Sequence, residues 1–122
     1  MSDTITFELE SGTLSWGSKT WTAVSGPHAN GALEAGSYRL ERRKVTPLNK
    51  SIGEPFKDKA TGNGFFVPIT PQFETKREGL GIHPDGNVPG TEGCIGITAD
   101  SSSFYDMLAK TPPSAVIFVE VR

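Results

Sequence analysis

One cysteine and two histidines in 122 residues leave no partner for an intrachain disulfide, and Cys94, His28 and His83 have no metal-ligand spacing. A disulfide scaffold and a zinc site are therefore not expected, and no cofactor is implied. A dominant charge is also missing. Twelve Lys and Arg are mixed with 14 Asp and Glu, for a formal net charge of −2, so no basic field exists to hold a nucleic acid. No run of 18 apolar residues occurs, so membrane insertion is not expected. The opening MSDTITFELE lacks the basic and apolar regions of a secretory signal, which sets the expectation of synthesis in the cytoplasm without a signal peptide. Two familiar motifs fail as well. Gly12 and Gly17 are spaced like the glycines of a phosphate-binding loop, but Ser18 stands where that motif needs Lys, and no serine sits in a G-x-S-x-G elbow.

What the chain does have is punctuation: 14 Gly and 9 Pro, which favour turns over long helices. Its length suits one core, and residues 1–122 are read as a single domain. Ile5, Phe7 and Leu9 alternate with polar residues, as do Trp21 and Ala23, which predicts strands joined by turns at Ser11-Gly12 and Gly17-Ser18. Tyr38 and Leu40 begin another strand, ending in the cluster Glu41 to Lys44. Residues 46–64 read as an irregular excursion. GFFVPITPQF reads as an edge or rim strand, because Pro68 and Pro71 remove backbone donors. Asp100 or a following serine is a candidate helix N-cap, with Phe104, Met107 and Leu108 on one face and Pro112 as the stop. The closing AVIFVEV predicts a strand in the middle of a sheet.

The densest glycine segment, GLGIHPDGNVPGTEGCIGI, holds the chemistry. His83 precedes Cys94 by eleven residues, across a connection long enough to fold the imidazole back onto the sulfur. A thiolate made beside an imidazole attacks an amide carbonyl, and Gly93 and Gly96 would let that carbonyl approach backbone N–H groups. The competing interpretation is a buried cysteine serving as a small hydrophobe. Trp16, Trp21, Phe65 and Phe66 read as core aromatics, whereas Phe73, among prolines and polar residues, points to a groove.

The run Ile82-His83-Pro84-Asp85-Gly86, then Gly90-Thr91-Glu92-Gly93-Cys94-Ile95, followed by a short helix and a closing apolar strand, resembles the catalytic core of the L,D-transpeptidases. It is closest to the small effector branch carried by type VI secretion systems, through its His-Pro-Asp-Gly and Gly-Cys-Ile-Gly signatures. The resemblance implies a mainly β fold, a single-domain sandwich or partly closed barrel with one short C-terminal helix. It implies Cys94 as nucleophile and His83 as base, oriented by the carbonyl of Pro84 or the side chain of Asp85. Thr91 and Gly93 match the signature before the cysteine. Glu92 stands where the broader family has a second histidine, and Gly96 where it often has Arg or Asn, so substrate choice is not copied from the larger enzymes. The implied substrate is the peptidoglycan stem peptide, with Lys76 and Arg77, ahead of Arg39, Arg42, Arg43 and Lys44, as candidate carboxylate clamps and Thr91, Glu92 and Phe73 as further substrate contacts. The implied activity is a cysteine-dependent L,D-carboxypeptidase or L,D-transpeptidase. It would act in the periplasm of a target or host cell, as an antibacterial effector with a protective immunity protein or as a phage lysis enzyme. The alternative is a non-catalytic β module that binds cell wall or protein, with an inert cysteine.

Overall fold

Alternating apolar residues become strands wherever the pattern runs for four residues or more. The computed structural model describes residues 2–25, 33–49, 64–75, 79–84 and 94–122. Its strands are β1 (Ser2–Glu8), β2 (Thr13–Trp16), β3 (Lys19–Val24), β4 (Gly36–Leu40), β5 (Thr46–Asn49), β6 (Gly64–Pro71), β7 (Gly81–Pro84), β8 (Ile95–Ile97) and β9 (Val116–Val121), with one helix, α1 (Ser101–Ala109), between the last two. The turns of the β1–β2–β3 meander fall at Ser11-Gly12 and Gly17-Ser18, as the sequence predicts.

The strands run β4-β9-β1-β2-β3-β8-β7-β6, and β6 pairs again with β4, closing an eight-stranded mixed barrel. This resolves the sandwich-or-barrel expectation in favour of a closed ring. β9 sits between β1, which it meets in parallel from Ser2↔Val116 to Phe7↔Val121, and antiparallel β4. A run this rich in β-branched residues belongs there, buried on both edges.

β6 departs from the expected edge position. It is paired with β7 on one side and with β4 and then β5 on the other. Its prolines are tolerated because of where their missing N–H groups fall. Successive residues of an antiparallel strand bond to opposite neighbours. The Pro68 carbonyl accepts from Glu41 N–H at 2.8 Å, so its absent donor faces the β4–β5 side, where a 3-10 turn, Arg42–Lys44, interrupts the neighbouring strand. Pro71 faces the β7 side, beyond the ladder that Gly81 begins opposite Pro68. After the turn the chain resumes pairing with β6 at Thr46↔Phe66, so residues 46–49 are a short strand where an irregular excursion was expected; residues 50–63 lie outside the described part.

Inside the ring lie Phe7, Leu14, Tyr38, Phe65, Val67, Ile82, Ile95, Ile117 and Val119, each no more than 1% exposed. α1 lays Phe104 and Leu108 into this core, with Met107 at its margin. Phe104 is ringed by Trp16, Trp21 and Phe65, at centroid separations of 5.5, 5.3 and 6.1 Å. Asp100 caps the helix in an unexpected way. Its backbone is left-handed (φ 56°, ψ 37°), and its carboxylate accepts from the Ser103 hydroxyl at 2.9 Å and from no backbone N–H of the first turn. Ser103 Oγ in turn accepts from Trp21 Nε1 at 2.8 Å, tying the helix start to β3.

Candidate active site

The core residues Ile82 and Val67 oppose one another across β7 and β6, so their neighbours His83 and Phe66 share the other face of the sheet. β8 joins β7 in parallel, with His83 beside Gly96 and Ile82 beside Ile95. Cys94 immediately precedes β8, and extending the β7–β8 register by one residue would bring it level with Gly81, two residues back from His83. On that extended register, one strand spacing and two residues of rise would separate the Cα atoms of Cys94 and His83 by roughly 8 Å. The thiol is half-buried, and Sγ lies 3.8 Å from the Gly79 carbonyl oxygen, as a weak S–H donor would.

His83 is only 3% exposed although it stands off the core face. Its Nδ1 is 2.6 Å from the carbonyl oxygen of Pro84, which as acceptor fixes the proton on Nδ1 and makes Nε2 the unprotonated nitrogen. Burial holds the imidazole below its ordinary value of 6.5, and the Pro84 bond opposes that in part. The ring is therefore a neutral base at neutral pH. Phe66 stacks on it at 6.0 Å between centroids and 16° between planes.

That stacking depends on a missing side chain. A Cβ on Gly81 would collide with Phe66 Cζ and stand 2.7 Å from Phe66 Cε2 and from the Val67 carbonyl oxygen. Glycine at 81 thus lets the Phe66 ring lie across β7, where it meets His83. Neither Phe66 nor Gly81 was read as part of a site from sequence. Strand parity was the available signal, since Phe65 and Phe66 are adjacent and only one of them can face the core.

Of the other expected site residues, Phe73 is placed away from this group. It packs edge-on against Tyr38 (5.3 Å, 86°) and over Gly36, where a Cβ would come within 2.6 Å of its ring. This lies beyond the opposite end of β6 from Phe66, and Phe73 packs there as a partly buried residue at the margin of the core. Arg39, Arg42, Arg43 and Lys44 gather around the 3-10 turn, on the far side of β6 from β7. Asp85, Thr91, Glu92, Gly93, Lys76 and Arg77 lie outside the described residues. Among the described residues no group of three or more His, Cys, Asp or Glu could hold a metal, and no helix is long and apolar enough to cross a membrane.

The sequence matches no protein-family model and no curated protein. The fold is similar to that of L,D-transpeptidase 1 from Mycobacterium tuberculosis, solved by crystallography, with a TM-score of 0.54 at 16% sequence identity. The match covers 98% of this chain and 61% of that one, so the present chain corresponds to about three fifths of its neighbour's length.

Proposed function

We propose that this chain is a cysteine-dependent enzyme acting on peptidoglycan stem peptides at L,D linkages, with Cys94 as nucleophile and His83 as base. The observation that supports the reading is the parallel β7–β8 pairing, which brings the strand that Cys94 immediately precedes beside the strand that carries His83, whose Nδ1 bonds to the Pro84 carbonyl. The likeness of fold to an L,D-transpeptidase supports it.

In the proposed reaction Cys94 Sγ leaves the Gly79 carbonyl by a change of rotamer and gives its proton to His83 Nε2. The thiolate adds to the stem-peptide carbonyl, and backbone N–H groups around Gly93 and Cys94 receive the oxyanion. As the tetrahedral intermediate collapses, the C–N bond breaks, His83 returns its proton to the departing amine, and a thioester remains on Cys94. Water, deprotonated by His83, releases the acyl group as a carboxylate; an amine acceptor would instead form a new amide. Hydrolysis with exchange as a side activity is the form proposed, with Asp85, Thr91 and Glu92 bordering the substrate and Lys76 and Arg77 holding its carboxylate. The chain would be made in the cytoplasm and act in the periplasm of a target cell, either as an effector countered by an immunity protein or as a phage lysis enzyme.

Mass analysis of purified muropeptides incubated with wild type and Cys94→Ala tests this. Loss of a terminal D-residue, or its exchange for an added D-amino acid, is expected with wild type and absent in the variant; no change with either protein rejects the reading. One observation favours the non-catalytic alternative, namely the thiol directed at the Gly79 carbonyl. Iodoacetamide separates the two. An enzyme thiol is expected to be alkylated with a pH profile that His83→Ala shifts, an inert thiol with the same profile in both proteins.

A further inference from the structure

Six consecutive residues, Arg39 to Lys44, hold four cations and one carboxylate, a local charge of +3 in a chain whose total is −2. The fold brings these cations to one place. The end of β4 and the 3-10 turn, with the segment before β9, line a surface cavity of about 300 Å³. Two of the guanidinium groups are already anchored. Arg42 donates through Nε to Thr111 Oγ1 at 2.8 Å and through Nη2 to the Thr111 carbonyl oxygen at 3.0 Å, and Arg43 Nε donates to the Pro113 carbonyl oxygen at 3.2 Å. These acceptors are neutral, so they orient the groups without cancelling their charge. Glu41, the carboxylate of the lining, instead accepts from the Thr70 hydroxyl at 3.2 Å. Among the described residues no carboxylate forms an ion pair with any of the four cations.

A concave site with fixed donors and, among the described residues, cations that no carboxylate pairs is suited to an oxyanion, and anchoring before binding lowers the ordering cost that weakens most surface charge contacts. We propose that this cavity is a binding subsite for an oxyanion, a carboxylate or phosphate group carried by a ligand. Glu41 N–H bonds to Pro68, Pro68 opposes Gly81 on β7, and β7 pairs with β8, which Cys94 immediately precedes, so three strand spacings separate the turn from the thiol, roughly 15 Å. The subsite is therefore distinct from the Cys94–His83 group, and it stands whether or not the catalytic reading does.

Amide NMR titration of the whole chain tests it, with inorganic phosphate in one arm and a glutamyl dipeptide in the other, at constant ionic strength. Saturable shifts confined to residues 39–44 and 111–115 are expected, weakened about fivefold or more in Arg39→Gln/Lys44→Gln and unchanged in Cys94→Ala. Both substituted side chains are exposed, so the fold is expected to survive, and amides elsewhere in the spectrum check it. The probe that binds more tightly identifies the source of the anion, phosphoryl or carboxyl. Shifts that fail to saturate, that spread over the surface, or that the double variant leaves unaltered overturn the proposal.

Discussion

A histidine buried off the core face answers to pH in a defined direction. The His83 imidazole is held below 6.5 in the folded chain, mainly by burial, while the unfolded chain protonates near 6.5. Above 6.5 both states are neutral at this site and its contribution to stability is fully present. As the pH falls from 6.5 through the lower folded value, the unfolded state binds the extra proton and that contribution is lost. His83→Gln is expected to flatten the pH dependence of urea-unfolding free energy across that window. If His83 is the base of the proposed reaction, the acid limb of a kcat/KM profile is expected to lie beneath 6.5, because burial lowers its imidazole. The expectation that His83 and Cys94 act together was legible in the sequence, because glycine and proline between them allow the chain to return, and it belongs to the proposed function. The Phe66 stack was not, since it depends on which face of β6 looks inward, a choice made by the whole barrel.

At the level of elements, a strand is only as secure as the side chains its neighbours omit. Gly81→Ala is expected to push the Phe66 ring off His83 and strain β7 against the Val67 carbonyl, costing about 1–3 kcal/mol in chemical denaturation and slowing Cys94 alkylation. Phe66→Leu, with the backbone undisturbed, is expected to reproduce the slower alkylation with a smaller loss of stability. For α1 the decisive residue is Phe104, enclosed by three aromatic rings, and Phe104→Ala is expected to cost about 3–5 kcal/mol, read as a fall in Tm of over ~10 °C. The helix, its aromatic-leucine face and the strands rich in β-branched residues were all readable from spacing. β6 was misjudged because the rule against proline in central strands assumes a continuous neighbour, and here the 3-10 turn stands where the Pro68 donor would have been needed. Nothing local in GFFVPITP announces that gap.

The ring as a whole closes through contacts distant in sequence. β1 finds β9 more than a hundred residues away, and β4 meets both β9 and β6. Such topologies fold in milliseconds to seconds, and stopped-flow refolding is expected in that range. A chain ending at Pro113 lacks the strand that joins β4 to β1, and circular dichroism is expected to show no cooperative thermal transition for it. The mixed pairing carries a mechanical corollary. β1 and β9 lie in parallel, with Arg122 N–H bonded to the Phe7 carbonyl at 3.0 Å and Leu9 N–H to the Arg122 carbonyl at 2.8 Å. Tension applied between residues 2 and 122 draws the two strands lengthwise past each other, so their bridges share the load and yield together. In an optical trap this barrel should resist stretching until a single abrupt rip, a useful property for any polypeptide hauled by one end.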